Sequence, residues 1–259
     1  MTDNQTIVSL LARWAASVRE LESGVAEDVC RRVLDSTGIM LAAAATSAEG
    51  AAIRGLGEQL GAGGATAIGS RTTLPASSAA LVNGTLAHSL DFDDTHLPSV
   101  LHPSASVVPA VMAVAQDQSI HDDTRLLCAI AVGIEIANRI GMGSYDSQLG
   151  NSVMFEHGFH ATSICGAIGS AVGVAHVLDM PEDVIAHSMS IAASMGSGIL
   201  EANRTGGSVK KTHCGWAAHA GVFAAQFARA GITGAPTAFE GRFGFYEAFS
   251  HGFMDESAS

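Results

Sequence analysis

Four polar segments carry the side chains that could do chemistry in this chain. The first is Asp91-Phe92-Asp93-Asp94-Thr95-His96, in which three carboxylates stand within four residues. Carboxylates this close repel one another, so at least one pKa rises unless a cation or a helix N-terminus neutralises the charge. Either outcome suits proton transfer, although Asp and Thr are also common in solvated loops and helix caps. The segment lacks the glycine and distal glutamate of an EF-hand, so it does not indicate a calcium loop.

Two further segments place histidines just before apolar helices. In His102-Pro103-Ser104 the residue before the proline is held extended, so the ring of His102 can project from the helix entrance. Backbone N–H groups at that entrance would favour an anionic ligand. The other segment is His157-Gly158-Phe159-His160. Histidine titrates near neutral pH and suits acid–base chemistry, but each ring could equally be a satisfied core residue or a surface residue.

The fourth segment, residues 204–213, concentrates positive charge. The sequence from Ile140 to Asn203 contains no Lys or Arg, and Lys210 and Lys211 are the only lysines of the chain. The glycines that precede them permit close approach of a ligand to the backbone. The order GxxxxGK[ST] of a P-loop is not met, and GxGxxG and GxSxG motifs are missing. We interpret the segment as an anion-binding site, with a solvated basic loop as the alternative.

Carboxylates, histidines and a lysine pair at helix boundaries fit proton abstraction beside a carboxylate group, with Lys or Arg holding the anionic substrate. No metal or redox cofactor is required by this set of groups. The net charge of -12 and the lack of a basic stripe argue against a nucleic-acid partner. The acidic start MTDNQ argues against an export signal, and four scattered cysteines without a CxxC pair predict reduced, mostly buried thiols. We therefore expect a cytoplasmic protein.

Helical periodicity dominates the rest of the chain. We predict a first helix at 6–22 and further helices at 26–46, 51–61, 75–90, 104–117, 122–140, 160–178, 182–198 and 213–231. The late half of 26–46 is apolar all round, which predicts a place inside a large core. Residues 65–69 are the one candidate strand. Loops at 141–158 and 199–212 and a frayed polar tail from Met254 complete an all-α, single-domain prediction of roughly eight to ten helices.

One segment raises the question of a membrane. Gly158 to Leu178 gives 21 residues without Asp, Glu, Lys or Arg, which is long enough to span a bilayer. Its small residues, its two histidines and the lack of cationic flanks instead favour a buried helix of a soluble protein. We expect no membrane partner, with a small membrane protein as the weaker alternative.

Three segments together resemble the MmgE/PrpD family. They are LVNGTLAHSLDFDDTHLPSVLHPSASVVPAVMAVAQ, GFHATSICGAIGSAVGVAHVL and GGSVKKTHCGWAAHAGVFAAQFARAGITGAPTAFEGRFGF. The likeness runs in order over essentially the whole chain. It implies a large multi-helix domain, a smaller α/β lid domain, catalysis without metal or organic cofactor, and a homodimer formed through the helical domain.

The resemblance also implies six site residues. Those with catalytic roles are Asp91, Thr95, His102 and His160, and those that bind substrate are Lys210 and His213. Lys211 and His157 correspond less closely and are not assigned. The spacing from Thr95 leaves His96 as an alternative to His102.

Members of the family continue after the EGRFGF segment into the lid. We therefore expect residues 1–259 to form the helical domain alone, with the lid missing from this chain and a separate lid-bearing chain as a candidate partner. The implied activity is that of a lyase for a small di- or tricarboxylate, most like a 2-methylcitrate dehydratase. Decarboxylation, epimerisation and a non-catalytic module for dimerisation or regulation are the alternatives.

Overall fold

The computed structural model describes residues 6–258, which form twelve α-helices and one two-stranded antiparallel ribbon. The helices are α1 Ile7–Ser17, α2 Ser23–Thr46, α3 Ala48–Gly57, α4 Ala76–His88, α5 Ser104–Asp117, α6 Asp123–Met142, α7 Val153–Glu156, α8 Ala161–Val177, α9 Glu182–Met195, α10 Ala202–Thr205, α11 His213–Arg229 and α12 Phe245–Ser250. The ribbon pairs β1 Tyr145–Asp146 with β2 Asn151–Ser152. Short 3-10 helices lie at Leu97–Ser99, Val209–Thr212 and Glu256–Ala258. The predicted all-α, multi-helix fold is confirmed.

Helix α8 lies at the centre of the molecule, and every one of its 17 residues is buried. Helices α5, α6, α9 and α11 pack around it. Small residues make this possible: a Cβ added at Gly169 of α8 would lie 2.4 Å from the carbonyl oxygen of Gly133 in α6. The many glycines and alanines therefore let helix backbones meet, in place of bulky side chains that fill gaps.

The same kind of contact joins α4 to α11, the two helices that carry much of the site. A Cβ at Gly215 would lie 2.2 Å from both the Leu81 carbonyl oxygen and the Thr85 hydroxyl oxygen. A Cβ at Gly84 would lie 2.8 Å from the Cα of Gly215. The two backbones cross in direct contact, which fixes the end of α4 relative to the start of α11.

Burial of α8 explains the apolar stretch at 158–178. Among residues 6–258, no helix combines the length and the apolar character needed to cross a bilayer. Helix α8 owes its apolar surface to complete enclosure by other helices rather than to lipid. The four cysteines are free; Cys128, Cys165 and Cys214 are buried as predicted, while Cys30 is exposed.

Four local predictions are wrong. Residues 65–69 form no strand, because only Ala65 pairs, in an isolated bridge to Leu74. The late half of α2 is enclosed on one face only: Ile39, Met40 and Ala43 are buried, whereas Leu41 is 58% exposed. The segments at 141–158 and 199–212 hold the ribbon and three short helices instead of plain loops. The tail is anchored, since the Asp255 N–H donates to the Gly143 carbonyl and Ala258 is buried; Ser259 lies outside the described residues.

Candidate active site

The first carboxylate of the DFDDT segment is paired with the first lysine. Asp91 follows α4 in a left-handed conformation, with φ of 57°. The Lys210 ammonium lies 2.9 Å and 3.2 Å from its two carboxylate oxygens. Burial acts to raise the pKa of Asp91, but the hydrogen bond and the charge of Lys210, together with the charge of His88, outweigh it and lower the pKa. Asp91 is therefore ionised, and two segments 119 residues apart in sequence meet at this ion pair.

The second carboxylate, Asp93, belongs to a buried pair with a histidine that the sequence analysis does not assign. His88 ends α4, and its Nδ1 lies 2.8 Å from Oδ2 of Asp93, with both side chains almost fully buried. Burial acts to lower the pKa of His88, but contacts with Cys214 and Asp93 outweigh it and raise the pKa. Burial also raises the pKa of the Cys214 thiol. That thiol is protonated at neutral pH, so the Asp93 carboxylate is the charge that stabilises the imidazolium.

The third carboxylate, Asp94, caps a helix. It accepts the backbone N–H of Ser104, the first residue of α5, at 3.1 Å and the Ser104 hydroxyl at 2.8 Å. The guanidinium of Arg32 from α2 pairs with the same carboxylate. Burial raises the pKa of Asp94. The prediction that the entrance of α5 is open to an anionic ligand is therefore wrong, because Asp94 already occupies it.

His102 presents one ring nitrogen as a base. Its Nδ1 lies 3.0 Å from the backbone carbonyl oxygen of Asp94, and a carbonyl can only accept, so Nδ1 donates there and Nε2 is the nitrogen left to exchange a proton. The hydroxyl of Thr95 lies 3.4 Å from the same Nδ1. The side chain is 23% exposed, so solvent and ligands reach it. His96 instead contacts the Ser99 hydroxyl at 2.7 Å, and so the structure directs His102 rather than His96 towards the other site groups.

His160 and His213 form a buried pair at two helix starts. His160 is the N-cap of α8, His213 is the first residue of α11, and their Nδ1 atoms lie 3.0 Å apart. One nitrogen must donate and the other accept, so the two rings cannot both be protonated there. Burial, followed by the charge of His88, lowers the pKa of His160 to about 2. Burial likewise lowers the pKa of His213. Both rings are neutral at physiological pH.

Four rings thus form a continuous group, which we call the histidine cluster: His88, His102, His160 and His213. The ring centroids of His88 lie 5.1 Å from His102 and 5.6 Å from His160, and those of His160 and His213 lie 5.1 Å apart. Asp91 and Lys210 lie beside the cluster, since Oδ1 of Asp91 is 3.8 Å from Nε2 of His88. The structure brings all six sequence-predicted residues to this one place.

The two residues that the resemblance leaves unassigned have partners elsewhere. Lys211 pairs with Glu49 of α3 at 3.2 Å. The ring of His157 lies 3.9 Å from that of His251, centroid to centroid. His88 was missed by the sequence analysis, although a histidine three residues before Asp91 at the end of a predicted helix is the signal that could have identified it.

Three groups of the site could in principle hold a metal ion. Within residues 6–258, His88, Asp93 and Cys214 offer ligand atoms that all lie within 4.8 Å of one another. An imidazole, a carboxylate and a thiolate are a donor set that zinc accepts. Here burial keeps the thiol protonated, and Nδ1 of His88 faces the carboxylate directly at 2.8 Å. The arrangement therefore fits a charge-assisted hydrogen bond better than a metal centre.

The site lies partly at the surface. Lys210 and Asp91 are 21% and 61% exposed, whereas the side chain of His88 is fully covered. A cavity of about 590 Å³ lies elsewhere, between α9 and the segment 233–249. The site offers an anion-binding ammonium beside histidines that can accept or relay a proton, and these groups suit acid–base chemistry on a carboxylate.

Comparison with known proteins agrees with this chemistry. The chain is 33% identical over 164 residues to the human cis-aconitate decarboxylase, 30% over 181 residues to that of Aspergillus terreus, and 28% over 182 residues to the cis-aconitate decarboxylase-like protein oryM of Aspergillus oryzae. These matches cover 62% to 68% of this chain. They cover only 32% to 36% of the relatives, so the matched part of the chain spans about a third of the full length of these relatives. The MmgE/PrpD N-terminal domain matches residues 9–257, and the chain therefore belongs to the MmgE/PrpD family.

Proposed function

We propose that this chain binds a small polycarboxylate at Lys210 and takes part in its decarboxylation by acid–base catalysis. The single observation that carries the proposal is the union of Lys210, Asp91 and the histidine cluster, which come from distant parts of the sequence. Support for a carboxy-lyase comes from the relatives, whose names are those of cis-aconitate decarboxylases. The proposal takes cis-aconitate as the first substrate to test.

In the proposed reaction the Lys210 ammonium holds one carboxylate of the substrate. Cleavage of the bond between carbon and a second carboxylate releases carbon dioxide and leaves an electron pair on the substrate. That pair must take up a proton at carbon, and a histidine supplies it. His102 suits this role because its side chain reaches solvent: Nε2 first takes a proton from water and then delivers it to the carbon, while Nδ1 keeps its hydrogen bond to the Asp94 carbonyl.

The neutral pair His160–His213 offers a second route for the proton. A ring whose one nitrogen donates while the other accepts can pass a proton on without ever carrying a charge. Thr95 assists by fixing the ring of His102. No step of this scheme uses a metal or an organic cofactor.

Loss of water from a 2-methylcitrate-like acid, which the sequence motifs favour, needs the same groups. There a neutral histidine would remove a proton beside the bound carboxylate, and a second one would protonate the leaving hydroxyl. The names of the relatives favour decarboxylation over this hydro-lyase reaction. Epimerisation, a homodimer formed through the helical domain and a separate lid-bearing chain stay predictions from the family resemblance.

The test is to incubate the purified chain with cis-aconitate and with 2-methylcitrate, and to follow carbon dioxide release and new double bonds by NMR. Binding of each acid is measured in parallel by calorimetry. Binding of cis-aconitate that Lys210→Ala abolishes supports the proposed site, and carbon dioxide release supports the proposed reaction. If neither acid binds, the proposed site and the proposed reaction are both overturned, and the non-catalytic module is favoured.

A further inference from the structure

His88 occupies the middle of the site without reaching its surface. It ends α4 and meets groups from every element that packs there. The titratable or charged groups around it are Asp91 and Asp93 of the following loop, His102 ahead of α5, His160 of α8, Lys210 of the 3-10 helix, and His213 and Cys214 of α11. Its side chain has no exposed surface. A buried ionisable group with so many functional neighbours needs a reason to be there.

Only one of the two ring nitrogens of His88 makes a hydrogen bond. Nδ1 donates to Asp93 at 2.8 Å, but Nε2 is buried and makes no hydrogen bond. Oδ1 of Asp91 lies 3.8 Å from Nε2, which is beyond hydrogen-bond distance, and the Cys214 thiol also lies beside the ring. Asp93 likewise keeps an unpartnered buried oxygen, Oδ1. Full satisfaction would be expected of a pair that served packing alone.

The unpaired Nε2 lies on the side of the ring that faces the site. Asp91 Oδ1 stands between it and the Lys210 ammonium, which lies 2.9 Å from the same oxygen. The Asp91 carboxylate is therefore held between two groups that can be positive. His102 and His160 stand within 5.6 Å of the same ring, centroid to centroid.

We propose that His88 is a positioning residue: a fixed, buried imidazolium, anchored by Asp93, that orients the Asp91 carboxylate and keeps His160 neutral. The second effect follows from distance, because a positive charge 5 to 6 Å away opposes protonation of another ring in a medium of low dielectric. In agreement, the charge of His88 contributes to the lowered pKa of His160, of His213 and of Asp91.

This inference rests on the proposed function for its catalytic meaning, but its physical content can be tested without turnover. Histidine-selective ¹⁵N NMR of the full chain from pH 5 to pH 9 reports the protonation of each ring. We expect His88 to keep both N–H protons above pH 7 while His160 stays neutral throughout. A neutral His88 at pH 7 would overturn the proposal. This measurement on the wild-type chain needs no variant to fold.

Two variants then separate a charge effect from a structural one. His88→Gln removes the charge, and Asp93→Asn removes the group that anchors it. Both should raise the pKa of His160 by at least about one pH unit, because a repulsive charge is lost. That pKa is about 2 in the wild-type chain, so wild type and variants are compared from pH 2 to pH 6, with tertiary structure followed in the same samples. His219→Gln is the matched control, since His219 lies on α11, where its ring contacts the Ser77 carbonyl, Trp216 and Phe223. An unchanged midpoint for His160 in folded His88→Gln would overturn the positioning role.

Failure of the proposed function looks different. In that case the wild-type chain binds no cis-aconitate, while the NMR titrations still report a cationic His88 and a neutral His160. If the function holds, His88→Gln should also lower the rate of carbon dioxide release, because the Asp91 carboxylate loses the charge that orients it. An unchanged rate, with the wild type active, would overturn the catalytic relevance of His88 alone.

Discussion

Lys210 and Lys211 are neighbours in sequence and identical in chemistry, yet they belong to different regions of the molecule. The Lys210 ammonium reaches Asp91 beside the histidine cluster, and 21% of its side chain is exposed. The Lys211 ammonium pairs with Glu49 of α3, and 40% of its side chain is exposed. The 3-10 helix Val209–Thr212 sends successive side chains in directions roughly 120° apart, which separates them. Clustering of rare charges in sequence thus locates a site, but only the backbone decides which charge enters it.

The largest expected effect tests whether the histidine cluster beside Lys210 catalyses the proposed reaction. His102→Gln removes the ring that combines a free Nε2 with access to solvent. Loss of a general acid or base lowers the rate about 10²- to 10⁴-fold. The rate of carbon dioxide release from cis-aconitate checks this, with His219→Gln as the control. A His102→Gln enzyme that retains more than a tenth of the wild-type rate would remove His102 from the mechanism.

The next effect compares the two lysines directly. Lys210→Ala should weaken binding of cis-aconitate about 10- to 150-fold, because one charge-assisted hydrogen bond is lost. Lys211→Ala should change the affinity less than about twofold, since its partner Glu49 lies on α3. Calorimetric titration of both variants measures the difference. Equal losses in both would mean that the segment acts only as a diffuse positive charge.

A smaller effect concerns stability and pH. The pKa of His160 is about 2 in the folded chain, below the ordinary value of 6.5, so the unfolded chain binds a proton that the folded chain does not. The stability contributed by the neutral ring is complete above pH 6.5 and falls as the pH drops below it. The raised pKa of His88 acts in the opposite sense, with stability complete below pH 6.5 and lost as the pH rises.

His160→Gln should therefore flatten the acid side of the stability curve. Between pH 6.5 and pH 5, the free energy of unfolding of the wild-type chain should fall more steeply than that of the variant, by at most about 1.4 kcal/mol per pH unit. Urea unfolding at half-unit pH steps measures both slopes. Parallel curves would indicate that His160 is protonated in the folded chain.

The smallest expected effect is on stability and concerns the ion pair between Lys211 and Glu49. Glu49→Gln breaks a pair that is exposed at the lysine end, and it should lower the free energy of unfolding by at most about 1 kcal/mol. The loss should shrink further at high salt, because exposed charges are screened. Thermal unfolding at low and high ionic strength checks this. A larger, salt-independent loss would assign Glu49 a structural role that the comparison does not give it.

Much of this site could be predicted from sequence because its residues stand out locally. The scarcity of lysine marks Lys210 and Lys211, and places just before apolar helices mark His102, His157 and His160; the family resemblance selects among them. The signal for His88 is weaker: it stands three residues before Asp91 at the end of a helix of small residues. Its importance comes from Asp93 and from rings that reach it through tertiary folding. Spacing along the chain cannot reveal a charge that arises only when four elements meet.

The fold, too, could be predicted only in part from the sequence. The positions of the helices follow from periodicity, whereas the exposed face of the late part of α2 does not, because an apolar stretch does not indicate which other elements pack on it. The entrance of α5 is a similar case. Its open N–H groups were anticipated correctly, but the anion that binds them is Asp94, brought there by the turn of the preceding loop.

The glycine contact between α4 and α11 has a mechanical consequence for the site. Because the backbones touch at Gly84 and Gly215, the helix that ends in His88 lies directly against the helix that begins at His213. A Cβ at Gly215 would lie 2.2 Å from the Leu81 carbonyl oxygen and the Thr85 hydroxyl oxygen, so a side chain there must push the two helices apart. The relative position of His88 and His213 is therefore set by two glycines that have no reactive group of their own.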